Sequence, residues 1–120
     1  MLQSIIKFLT GNKYRFEVSL NSKNEYYFKL KSSNGEIILV SESYKNRQGC
    51  DNGIQSVREN ALLEENFDIR LSSDKKRYFV LKAKNGEIIA TSETYNSLAN
   101  VVNGIDSVRK FSQTQEVKFI

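Results

Sequence analysis

Moved along by 51 residues, the chain matches itself: Phe16 to Asn60 aligns with Phe67 to Phe111 without a gap, and about 21 of those 45 positions are identical. The densest block reads FKLKSSNGEIILVSESY in the first copy and FVLKAKNGEIIATSETY in the second, followed by NGIQSVR and NGIDSVR. An internal repeat fixes architecture before any local propensity does. Two copies with no linker between them imply one fused domain with a pseudo-twofold axis. With 120 residues in all, each half alone lies at the small end for independent folding, so the halves are expected to share a core. The reading is residues 14–65 for the first repeat, 66–120 for the second, and 1–13 as an extension outside both.

Each copy opens on a period of two. Phe16, Val18 and Leu20, then Phe67, Ile69 and Leu71, alternate with polar neighbours as half-buried strands do. Polar turns at Asn21 to Glu25 and Ser72 to Lys76 lead into second strands, with Phe28, Leu30, Phe79 and Leu81 facing inward. Asn34-Gly35 and Asn85-Gly86 are hairpin signals, expected as type I′ turns in which both central residues take positive φ. Third strands return through Glu36 to Ser41 and Glu87 to Ser92.

The period then lengthens to that of a helix. Tyr95, Leu98, Val102, Ile105 and Val108 recur at helical spacing, with Tyr44, Cys50, Ile54, Val57 and Ala61 as their rough counterparts. Asn46 and Ser97 suit the N-cap. Gly53 and Gly104 fall within the helices on the apolar face, where a missing Cβ allows close approach to a sheet. The chain ends in Glu116-Val117-Lys118-Phe119-Ile120, which alternates like a last strand at a sheet edge.

The tandem NGEII…SE.Y…NGI.SVR pattern resembles the YegP-like family of small bacterial proteins, over about residues 14–120. The resemblance implies an α+β fold: two tandem β-β-β-α-β repeats in a single, mostly antiparallel sheet, with helices on one face and the C-terminal strand of each repeat exchanged onto the other. It implies no activity.

Composition narrows the chemistry. The chain has no histidine and one cysteine, Cys50, which removes histidine-based triads and nearly all zinc sites. Neither a cofactor nor a metal is expected. A lone thiol forms no internal disulfide and fits a reducing cytoplasm. No segment is long enough to span a membrane, and the opening MLQSIIKFLTGNK lacks the features of a signal peptide. Lys and Arg number 18 against 14 Asp and Glu, an excess too small for a nucleic-acid footprint by itself.

A two-residue hairpin turn would pair Lys31 with Ile38, Lys29 with Val40 and Tyr27 with Glu42, and in the second copy Lys82 with Ile89, Val80 with Thr91 and Tyr78 with Glu93. These residues would share the face away from the helices. The candidate binding surface is therefore Tyr27, Lys29, Lys31, Ile38, Tyr78, Lys82, Ile89 and Arg70, extended by Lys75, Lys76 and Arg77 from the adjacent turn. On a polyanion the tyrosines would stack and the cations would contact phosphate. Asn34, Gly35, Asn85, Gly86, Gly53, Gly104, Arg58 and Arg109 form the structural motif of the repeat, the two arginines as partners of Glu42 and Glu93 or as caps on helix carbonyls. Ser56 and Ser107 lack a neighbouring base, and Cys50 falls on an apolar helix face.

In the extension, Leu2, Ile5, Ile6 and Leu9 fall on one helical face before Gly11. A short amphipathic helix is expected there, packed on the domain, or else against another protein, with a membrane surface as the third alternative. The sequence thus points to a non-catalytic interaction or structural module, monomeric or weakly dimeric. The alternative is weak, sequence-independent nucleic-acid or polyanion binding by the second repeat.

Overall fold

The structure is a computed structural model, and it describes residues 14–120. The helix expected within residues 1–13 lies outside the described residues. In chain order the elements are β1 (Arg15–Leu20), β2 (Tyr26–Lys31), β3 (Ile37–Ser41), α1 (Arg47–Asn60), a 3-10 turn (Glu64–Asn66), β4 (Phe67–Leu71), β5 (Arg77–Lys82), β6 (Ile88–Thr91), α2 (Leu98–Phe111) and β7 (Val117–Phe119). They form an α+β fold with one mixed sheet in the order β4-β5-β6-β3-β2-β1-β7. All neighbours are antiparallel except β1 and β7, which run parallel.

Two separate five-element units would need eight strands, and the sheet has seven. The strand that follows α1 is β4, which also begins the second copy and pairs with β5. The strand that follows α2 is β7, which lies against β1. At the junction of the halves Val40 pairs with Thr91, its own equivalent 51 positions on.

The core joins both halves. Phe16, Val18, Phe28, Leu30 and Leu39 belong to one cluster with Phe79, Leu81 and Ala90, closed by Ile54 and Val57 of α1 and Val101, Ile105 and Val108 of α2. Helix α1 packs on β2 and reaches β5 and β6, while α2 packs on β5 and reaches β2 and β3. Asn46 and Ser97 cap the helices as expected, accepting from the Gly49 and Asn100 amides. In α2 the inward face differs from the expected one: Val101 and Gly104 are buried with Ile105 and Val108, whereas Leu98 and Val102 are exposed. The apolar stripe is displaced because Val101 and Val102 are adjacent, and spacing alone does not choose between them.

The hairpin turns also differ from expectation. In the first copy the Gly35 amide donates to the Ser32 carbonyl and the Ser32 amide to the Glu36 carbonyl. Gly35 has φ 84° but Asn34 does not turn positive, so the loop has three residues with one left-handed position, not a type I′ turn. Pairing runs Lys31 to Ile37, then recovers the expected register at Leu30 to Leu39 by accommodating Ile38 as a bulge. The second copy repeats this, with Lys82 opposite Ile88 and Leu81 opposite Ala90. Because side chains alternate along a strand, this bulge turns Ile38 and Ile89 into the core. Both therefore leave the candidate surface.

Much of the repeated motif serves the framework. The Ser41 hydroxyl accepts from the Phe28 amide and donates to the Glu42 carbonyl, and Ser92 does the same for Phe79 and Glu93. Tyr44 folds back over Gly53, and a Cβ on Gly53 would also stand 3.1 Å from Phe28. Tyr95, Gly104 and Phe79 repeat the arrangement.

Candidate binding surface

The sheet face away from the helices is one continuous row in register. Asp68, Val80, Thr91, Val40, Lys29, Glu17 and Lys118 lie side by side across all seven strands. Tyr27 and Lys31 flank Lys29 on β2, and Tyr78 and Lys82 flank Val80 on β5, as the alternation of a strand requires.

The charges of this face are largely consumed within it. Glu17 is 5% exposed, with Arg15 Nη2 at 2.7 Å and Lys31 Nζ at 3.0 Å. Burial opposes its charge, but Arg15 and Lys31 outweigh that and hold the carboxyl below the usual range. In the second half Asp68 receives Arg70 Nε at 3.1 Å and Lys82 Nζ at 3.3 Å. These contacts likewise lower its pKa, Arg70 contributing most. The acid and the lysine recur at equivalent positions, whereas the arginine moves from two residues before the acid to two residues after it. Lys29 lies 5.5 Å over the Tyr27 ring. Of the expected cations, then, Lys31, Lys82 and Arg70 are paired, which weakens the surface as a phosphate platform.

The turn residues are divided between directions. Arg77 alternates with buried Phe79, so it lies on the helix side, and its backbone exchanges hydrogen bonds with Tyr95 at 3.0 and 2.6 Å. Lys75 occupies the left-handed position of its turn, at φ 66°. It and Lys76 are exposed.

Arg58 and Arg109 do not pair with Glu42 or Glu93. Arg58 Nε donates to the Thr114 carbonyl, which follows α2, and Arg109 Nη2 to the Leu62 carbonyl, which follows α1. Each helix thus holds the segment leaving the other. Cys50 is buried, and burial pushes its thiol up to about 11. A groove of about 310 Å³ between the Ser32–Asn34 turn and α2 is lined by Glu36, Glu93, Tyr95 and Asn103. Its two carboxylates oppose an anionic occupant. Burial, then Glu93 and Glu36, raise the pKa of the Tyr95 hydroxyl, keeping it protonated.

The two ends of the sheet differ. At one end β7 satisfies β1: the Phe16 amide donates to the Glu116 carbonyl at 3.0 Å and the Ile120 amide to the Val18 carbonyl at 2.8 Å. Val18 is 0% exposed. At the other end β4 has no neighbour among the described residues beyond β5. Its Ile69, equivalent to Val18, is 40% exposed, and Leu71 is 61% exposed. Sequence alternation identified both as inward-facing residues. It could not show that no strand among the described residues would cover them.

Comparison with known proteins follows the duplication. The family described as "Domain of unknown function (DUF1508)" matches residues 21–68 and again 72–118. The UPF0339 protein YegP of Escherichia coli is 42% identical over 103 residues, covering 86% of this chain and 94% of that one. A UPF0339 protein of Photorhabdus laumondii is 41% identical, with 86% and 90% covered. Among solved structures, a solution NMR structure of a UPF0339 protein from Shewanella oneidensis superposes with a TM-score of 0.83 at 40% identity, covering 89% of this chain and 91% of that one. The E. coli yegP solution structure, described as a protein of unknown function, gives 0.84 at 40%, with 88% and 91% covered. With both units matched and these relatives paired along nearly their whole length, the chain belongs to the DUF1508 family as a two-copy, YegP-like member.

Proposed function

We propose that the protein is a non-catalytic interaction module whose working surface is the free edge of β4. The observation that carries this reading is the exposure of Ile69 and Leu71 on a strand that ends the sheet. Unpaired strand edges with apolar side chains are sites of association. Val18, the equivalent of Ile69 in the first half, is covered by β7, whereas Leu20, the equivalent of Leu71, is 44% exposed, so the asymmetry between the halves is confined to Ile69.

The architecture we infer is a pseudo-twofold pair in which each helix hands the strand after it to the other half. The pairing of Val40 with its equivalent Thr91 supports it. The non-catalytic part rests on how polar groups are used: Arg58 and Arg109 bind loop carbonyls, Ser56 accepts from Asn60, and Cys50 stays a protonated thiol. No cluster of three metal-ligating side chains occurs among the described residues. The buried thiol also suits a reducing, cytoplasmic setting. No helix among the described residues is long and apolar enough to cross a membrane.

Polyanion binding through Lys75 and Lys76 is the second reading, with a narrower base because Arg70 and Lys82 already hold Asp68. One capture experiment separates the two. Wild type and Ile69→Lys are used as bait in cell lysate, with both protein and nucleic acid analysed. Protein recovered by wild type and lost in Ile69→Lys supports the edge. Nucleic acid retained by both, released by salt and abolished by Lys75→Glu/Lys76→Glu would establish the polyanion reading instead.

A further inference from the structure

We propose that the occupant of the β4 edge is the β4 edge of a second copy, joined antiparallel across a twofold axis at Ile69, so that two seven-stranded sheets become one. This rests on the edge being the working surface and specifies the partner. The strand reads Phe67-Asp68-Ile69-Arg70-Leu71, apolar, acid, apolar, base, apolar. Run against itself about Ile69, it sets Asp68 opposite Arg70 of the other copy, twice. On the helix side it sets Phe67 against Leu71 and Ile69 against Ile69. Opposite charges and apolar pairs directly across an antiparallel ladder are stabilising, and like charges there are not.

The backbone agrees. The Ser72 amide donates to the Lys76 carbonyl, closing the hairpin to β5, and the Lys76 amide donates to the Ser72 hydroxyl. With bonded pairs alternating along the ladder, Asp68 and Arg70 direct their amides and carbonyls to β5, while Phe67, Ile69 and Leu71 direct theirs outward. Their equivalents Phe16 and Val18 are the residues that bond the β7 segment. The Phe67 amide already donates to the Glu64 carbonyl. A parallel strand placed as β7 is placed would need that donor. The antiparallel pairing does without it, using the Ile69 amide to the opposite Ile69 carbonyl and the Leu71 amide to the opposite Phe67 carbonyl. At each end the Glu64-Glu65 turn of one copy lies beside the Lys75-Lys76 turn of the other. In that turn Asp74 is held by the Ser72 hydroxyl.

The test is sedimentation and amide exchange of the full-length protein across concentration. Wild type is expected to dimerise reversibly, with the Ile69 and Leu71 amides gaining protection as concentration rises. Asp68→Arg and Arg70→Asp should each weaken association about tenfold or more, because each turns two cross-strand attractions into repulsions. Mixed in equal amounts these two variants should associate with each other, and Asp68→Arg/Arg70→Asp should recover self-association. Circular dichroism confirms that each variant is folded. A wild type that stays monomeric to about 1 mM, the weak limit of specific contact, would overturn the proposal. So would dimerisation indifferent to both reversals, or protection independent of concentration, which would place a segment of the same chain on β4. Capture of a different protein by the edge without self-association would refute the second copy and leave the edge reading standing.

Discussion

Lys75 stands where its neighbours in the other loops are glycine or asparagine. The four hairpins share one loop form, and its third loop residue is Asn24 at φ 60°, Gly35 at 84°, Lys75 at 66° and Gly86 at 85°. A Cβ is crowded in that region, and asparagine tolerates it better than lysine. Lys75→Gly is therefore expected to raise stability by about 1 kcal/mol, seen as a higher thermal midpoint. Glycine has the opposite meaning at position 104. There a Cβ would come within 2.5 Å of Tyr95 Oη and 3.1 Å of Phe79 Cε2. Gly104→Ala should lower stability by about 1–3 kcal/mol in urea titration, although alanine favours a helix interior by about 1 kcal/mol. Sequence spacing placed Gly104 on the inward face. That the group pressing on it is the ring of Tyr95, nine residues earlier, depends on how the chain folds back.

Strand β7 is short and exposed, yet it closes the first half of the sheet. Phe119 packs on Tyr26 with ring centroids 6.2 Å apart, and the Arg47 guanidinium lies 5.6 Å over the same ring. Removing residues 116–120 would free the outward groups of Phe16 and Val18 and uncover their side chains. A loss of about 2 kcal/mol in urea titration is expected from one lost apolar covering and a few edge hydrogen bonds, with increased self-association, since the edge of β1 would then be open. Alternation revealed this strand in the sequence. Its parallel partner, β1, was not legible, because pairing between segments a hundred residues apart is set by where α2 delivers the chain. The hairpins were legible down to their paired strands, but the bulges at Ile38 and Ile89 were not. One extra loop residue, invisible in the Asn-Gly signal, moved both isoleucines to the opposite face.

Across the whole molecule the halves are interlocked. Helix α1 bridges to β5 and β6, α2 bridges to β2 and β3, and Arg58 and Arg109 each bind the segment that leaves the other helix. Residues 14–65 and 66–120 produced separately are expected to lack native helix signal by circular dichroism, and to regain it on mixing only if both are present. Each alone would leave its helix half uncovered, below the burial that small domains need. By itself the sequence determined the duplication, the strand and helix periods, the caps and most of the core, because these are encoded in local spacing and repeat within each copy. Only the tertiary structure decided which lysines are neutralised and which edge is left unpaired among the described residues. Glu17 meets Lys31, and Asp68 meets Lys82, across strands rather than along them. Among the described residues β4 ends the sheet because β7, the strand after α2, lands on β1, at the far end.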